Sequence, residues 1–195
     1  MAKVNKEQLQ YIVEAALFVA DGALSIERIQ ETVLLEFDLT RRQVLNIIKA
    51  IQAHYEPRGI HLVEVAQGYR FQSDPSLNPW VGRLWQEQAP KYSRALLETL
   101  SLIAYRQPIT RGEIEQVRGV SVSSHIVKTL VERDWVKAVG HKEVPGRPAL
   151  YATTKTFLSY FGLKSLDELP STGLFEAQAK AAPENIVLDD EVDSA

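Results

Sequence analysis

The chain of 195 residues has no cysteine. That excludes disulfides, thiolate-held zinc and a cysteine nucleophile, and it suits a reducing compartment. Long apolar runs are missing too: nothing approaches the ~20 consecutive apolar residues of a membrane-spanning helix. The opening residues, Met1 to Lys6, lead into an amphipathic pattern without the apolar core of a signal peptide. The expectation is a cytoplasmic protein with no membrane partner. An excess of positive charge is also lacking, with 22 Lys and Arg against 25 Asp and Glu. Five of the acids (Glu184, Asp189, Asp190, Glu191, Asp193) follow the last base, Lys180, and without them 22 bases face 20 acids. So mild a bias is not the concentrated basic face of a nucleic-acid binder.

Patterns of catalysis are absent as well. His54, His61, His125 and His141 sit on four different predicted elements, and no two share a helix at metal-ligand spacing. There is no phosphate-binding Gly-Lys-Ser/Thr loop, no dinucleotide glycine fingerprint and no Gly-x-Ser-x-Gly elbow. Glu113 and Glu115 read as capping and solvent-facing charge. The expectation is a protein that is not an enzyme and takes no cofactor and no metal.

What the sequence does contain is a short-period order of helices and hairpins, and it occurs twice. In the clearer copy, Ser93 opens a helix lined by Leu96, Leu97, Leu100, Ile103 and Ala104. Thr110 and Glu113 form a capping box for a second helix, with Ile114 and Val117 inward and Gly119 as its stop. Ser121 is read as the start of a third helix, with Ile126, Val127, Leu130 and Val131 toward the core. Strands at 135–139 and 150–153 flank a hairpin tip at 140–148, and Thr154 caps a last helix that Gly162 closes. Helix, turn, helix, turn, helix and a two-stranded wing is the order of a winged helix-turn-helix.

Residues 5–73 repeat it more faintly, at a shift of about 84 residues judged by apolar period. Asn5 with Gln8 and Thr40 with Gln43 are capping boxes, and Ser25 caps a short helix with Ile26, Ile29 and Val33 inward. Strands at 60–65 and 69–72 flank Gln67-Gly68, with Ile60, Leu62 and Val65 as the inward face. By this alignment, Gly68 to Phe71 match Pro148 to Tyr151.

The fold class is therefore mainly α with small β-hairpins: two tandem winged helix-turn-helix domains and an acidic C-terminal tail. The expected divisions are 1–74 for the N-terminal module, 75–92 for a connector, 93–163 for the C-terminal module and 164–195 for an extension largely without structure. Trp80, Val81, Leu84 and Trp85 on the connector are expected to pack onto a domain; facing a partner is the alternative.

Two features bear on binding. The first helix carries a buried stripe (Leu9, Ile12, Val13, Ala16, Leu17, Ala20) and a second apolar line, Tyr11, Ala15 and Phe18 with Val19 beside it. That line either meets its own domain or serves as a homodimer contact. The third helices are poor in the Arg, Lys, Asn and Gln that read bases. Ser124, His125, Lys128, Thr129 and Glu132 face outward in the second copy, and Arg41, Arg42, Asn46 and Lys49 in the first have acids nearby. The second wing offers Lys142 and Arg147, with Gly146 and Pro148 shaping the turn. Two functions stay open on these residues: an architectural subunit that grips other polypeptides, and a winged-helix transcriptional regulator.

The stretch Glu98 to Arg111, Arg118-Gly119-Val120, Val144-Pro145-Gly146-Arg147-Pro148 up to Tyr151, and Tyr160 to Pro170 resembles the bacterial segregation and condensation protein B family. So do Glu14 to Asp21, Gly68-Tyr69-Arg70 and Trp80-Val81. The resemblance covers roughly 7–170. It implies tandem winged-helix domains, a homodimer held through the N-terminal modules, and binding to the kleisin, segregation and condensation protein A, which bridges the structural-maintenance-of-chromosomes (SMC) ATPase. It also implies a nucleoid-associated role in chromosome condensation, partition and cell division, with DNA contact at most weak and non-specific. Besides the candidate homodimer contacts Tyr11, Ala15, Phe18 and Val19, the candidate partner-binding set is Lys142, Gly146, Arg147 and Pro148 of the wing, and Tyr105. The segment Val120 to His125 departs from the family in lacking acidic and glycine residues at the start of the third helix.

Overall fold

A computed structural model describes residues 5–85 and 92–171, except the side chain of Trp85. The acidic tail from 172 onward lies outside the described residues. Each of the three capping boxes forms as its spacing demands, at Asn5/Gln8, Thr40/Gln43 and Thr110/Glu113. They start α1 (Lys6–Val19), α3 (Arg41–Tyr55) and α6 (Arg111–Arg118). Ser25 and Ser93 cap α2 (Ile26–Glu31) and α5 (Arg94–Arg106) with their hydroxyls.

In the N-terminal part, α1, α2 and α3 bury Val13, Leu17, Ile26, Ile29, Val44, Ile47, Ile48 and Ile51 in one cluster. Strands β1 (Ile60–Val65) and β2 (Gly68–Ser73) pair antiparallel and add Leu62 and Tyr69 to it. A bridge between Leu24 and Tyr69 ties the wing back to the turn before α2. Ile60 proves exposed, whereas Val65, three residues past Leu62, is buried without joining this cluster. Val33 is likewise exposed, because α2 ends at Glu31 and the chain turns outward.

The C-terminal part repeats the plan with α5, α6, α7 (Ser124–Glu132), strands β4 (Val136–His141) and β5 (Ala149–Thr153), and α8 (Lys155–Tyr160). Its cluster centres on Leu100, Ile103, Ile114, Leu130, Trp135 and Phe157. A short strand β3 (Ile109–Thr110), absent from the sequence reading, makes a three-stranded antiparallel sheet in the order β3-β5-β4. Ile109 pairs with Tyr151 as Leu24 bridges Tyr69, so Tyr69 corresponds to Tyr151 rather than to Ala149.

Three helical expectations need correction. The cap of α7 is Ser123, not Ser121. The preceding residue, Val122, is fully buried and its N–H donates to Glu115 Oε1 at 2.9 Å, which holds that stretch extended. Val117 and Val131 are exposed, since these short helices bury one residue each, Ile114 and Leu130. On the connector, α4 (Asn78–Val81) is a single turn, too short to lay an apolar stripe on anything, and Trp80 remains 63% exposed. Leu84 is exposed as well.

Candidate partner-binding surfaces

On α1, the buried and exposed stripes separate cleanly. Val13 and Leu17 are buried; Tyr11, Phe18 and Val19 are 56%, 69% and 76% exposed, and Ala15 lies in the open between them. Tyr11, Ala15 and Phe18 fall at helical spacing, so they form one continuous line. The Phe18 ring meets the edge of Phe71 at 6.3 Å, and Phe71 packs against Tyr55 at 4.8 Å. The Tyr55 hydroxyl donates to Glu14 Oε1 at 2.6 Å, which fastens α1 to α3 behind the line. The apolar face is thus firmly mounted and covered by nothing among the described residues.

The wing candidates sit together at the β4–β5 tip. Gly146 (φ 84°) and Arg147 (φ 38°) are in the left-handed region, and the Arg147 N–H donates to Val144 O at 2.9 Å. The Lys142 N–H closes the tip onto Pro148 O at 2.9 Å. The Lys142 ammonium, however, is engaged: it donates to Glu113 Oε1 at 2.5 Å. That bond, with the Thr110 donors of the capping box, holds the Glu113 carboxyl down at about 2. Lys142 therefore secures the wing to α6 rather than offering an unpaired cation, and Arg147 is also exposed at the tip.

Tyr105 is not part of that group. Its hydroxyl donates to Pro170 O at 2.5 Å, and it lines a groove of about 420 Å³ between α5 and α8. The other walls are Leu97, Leu100, Ala104, Phe157 and Phe161, with Leu169 and Pro170 along one side. Leu97, expected in the core, is exposed and forms part of this wall. The signal that could have marked it is its place at the edge of the apolar face on α5, whose centre is taken by Leu96, Leu100 and Ile103.

Several bases on and near the third helices are paired. Arg41 meets Glu27, Lys128 meets Glu132 at 3.6 Å, and Arg111 meets Glu115 at 3.0 Å and Ser124 Oγ at 3.1 Å. The Glu115 carboxyl is lowered first by the Val122 N–H and then by Arg111. His61 Nε2 lies 2.9 Å from Asp74 Oδ2, but no third histidine or carboxylate joins them: no metal-holding cluster occurs among the described residues. Asp74 also accepts from the Ser76 N–H at 2.8 Å, so the pair fastens the start of the connector to β1. No helix among the described residues is long and apolar enough to cross a membrane.

The family described as "Segregation and condensation complex subunit ScpB" matches residues 11–172. The chain is 51% identical over 170 residues to the segregation and condensation protein B homolog of Coxiella burnetii, covering 87% of this chain and 80% of that one. It is 39% identical over 184 residues to segregation and condensation protein B of Syntrophotalea carbinolica, covering 93% and 90%. Among solved structures, ScpB from Mycobacterium tuberculosis is 29% identical, with 83% of this chain and 99% of that one covered and a TM-score of 0.38.

Proposed function

The chain belongs to the ScpB family of segregation and condensation complex subunits, and from that premise we propose that it is a non-catalytic, homodimeric grip for a kleisin. The observation that carries this reading is the Tyr11–Ala15–Phe18–Val19 line, a mounted apolar face of the kind that association covers. Two copies related by a two-fold axis would lay this line against itself. The groove between α5 and α8, with Tyr105 at its wall, suits an apolar segment of segregation and condensation protein A, taken as a helix or an extended strand. Through the kleisin the protein joins the SMC ATPase on the nucleoid, where it serves chromosome condensation and partition. Arg147 at the free wing adds at most a weak, sequence-blind contact to DNA.

The regulator alternative gains no support from the relatives this chain matches, and two of the third-helix bases that would face a duplex, Arg41 and Lys128, are held by Glu27 and Glu132. The deciding experiment has two arms. Light scattering of Phe18→Asp should give the mass of one chain where the parent gives two; unchanged mass refutes the dimer line. Purified kleisin should be retained by the parent and lost by a Tyr105→Ala, Leu97→Asp double variant. Retention by that variant refutes the groove.

A further inference from the structure

The tip of the first wing is not free. The Ala66 N–H donates to Leu163 O at 3.0 Å, and the Gln67 N–H to Ser159 Oγ at 3.1 Å. The Gln67 side-chain amide reaches Thr156 Oγ1 at 3.4 Å, and Lys164 Nζ lies 3.3 Å from Glu64 Oε2. Four polar contacts thus run from one hairpin tip to α8 and the turn after it, across some ninety residues of sequence. Ser159 is 4% exposed, an unusual place for a hydroxyl unless a donor meets it. Val65, also 4% exposed, belongs to neither apolar cluster.

Both sides of this contact are braced. On the wing, Gly68 brings β2 against the turn before α2: a Cβ there would lie 2.1 Å from Leu24 O. On the receiving side, α8 is tied to the β4 end of its own module. Thr154 Oγ1 donates to Asp134 O, Thr156 Oγ1 to Asp134 Oδ2 at 2.7 Å, and Leu163 N–H to Leu158 O at 2.8 Å.

We infer that the first wing is an internal docking element, which binds the second module of the same chain at Thr156, Ser159 and Leu163 and couples the two modules into one rigid body. The wing of a DNA-binding winged helix touches phosphate; this one is spent on its own chain and presents no such contact. The inference does not rest on the dimer or the groove. Its consequence for them is that the α1 face and the α5–α8 groove are held at a set mutual orientation rather than swinging about the connector.

Because the chain has no cysteine, a Glu64→Cys, Lys164→Cys pair joined by a short bis-maleimide is unambiguous. At micromolar protein the product within one chain should exceed the product between chains by about tenfold or more, since a tethered neighbour has an effective concentration near millimolar. A predominantly interchain product, which would mean an exchanged wing, overturns the inference, as does no product. The second measurement reads rigidity. Nitrogen-15 relaxation of the full chain should return one rotational correlation time for residues of both modules, and Ser159→Ala with Gln67→Ala should split it into two. Two distinct times in the parent overturn the coupling. Both measurements are repeated on Phe18→Asp, so that a failed dimer reading and a failed wing contact are told apart.

Discussion

Gly68→Ala is the substitution whose cost can be worked out most fully. Gly68 sits at φ 133°, a region that residues with a Cβ scarcely visit, and that strain alone costs ~1–3 kcal/mol. The added Cβ would also stand 2.1 Å from Leu24 O and 2.6 Å from Ser25 N, backbone atoms that cannot rotate aside. Relief requires β2 to withdraw from the turn. Withdrawal breaks the reciprocal bonds Leu24 N–H to Tyr69 O and Tyr69 N–H to Leu24 O, each 2.9 Å long and each contributing ~1 kcal/mol. The sum is ~3–5 kcal/mol, a large part of a typical domain stability of ~5–15 kcal/mol. Urea unfolding should show the midpoint falling with its slope unchanged. Two controls separate the terms. Gly119→Ala, at φ 72° but with open space around it, should show only the strain. Gly82→Ala, helical and open, should change stability by less than ~1 kcal/mol. A Gly68→Ala loss no greater than that of Gly119→Ala would refute the claim that the wing is pinned at Leu24.

Other outcomes follow from the second module. Thr110→Ala removes the hydroxyl that accepts from the Glu113 N–H at the start of α6 and should cost ~1 kcal/mol in thermal or urea unfolding. Glu98→Ala leaves the Arg118 guanidinium, itself nearly buried, without its 3.1 Å partner and should cost ~1–3 kcal/mol; Arg118 Nε already finds no acceptor among the described residues. The Glu113 carboxyl, lowered from 4.5 to about 2 by Lys142 and Thr110, stabilises the fold fully above pH 4.5, and its contribution drains away as pH falls toward 2. Glu113→Gln keeps the capping geometry but not the charge, so its melting temperature should trail the parent's at pH 6 and meet it near pH 2.

The features legible in the sequence were the local ones. A capping box needs two residues three apart, and Thr40/Gln43 or Thr110/Glu113 announce a helix start without reference to anything distant. The second apolar line on α1 was legible for the same reason, since helical spacing sorts Tyr11, Ala15 and Phe18 onto one face. Features set by distant chain were not. The burial of Val65 goes with the docked wing tip and breaks the alternation that marked Ile60 as inward. The start of α7 is set at Ser123 rather than at the expected Ser121 by Val122 entering the core and by the Glu115 carboxylate seven residues back. The Tyr105 hydroxyl donates to Pro170 O, sixty-five residues on, a contact that no spacing rule announces.

The two wings show why one copy of a duplicated module can be consumed as a joint while the other stays free. In the second wing the long tip satisfies its own donors: Lys142 N–H reaches Pro148 O, Val144 N–H reaches Lys142 O and Arg147 N–H reaches Val144 O. Such a tip is complete in solvent. The first wing turns in the two residues between Val65 and Gly68, and the amides of Ala66 and Gln67 both donate outside the hairpin. A backbone donor taken out of water needs a partner, and a tip with two outward donors is suited to burial against a surface that offers acceptors. Leu163 O and Ser159 Oγ are those acceptors. Turn length, more than charge, thus assigns the two wings their separate uses. Lengthening the first turn so that it closes on itself should free the modules from one another, with both apolar clusters left intact.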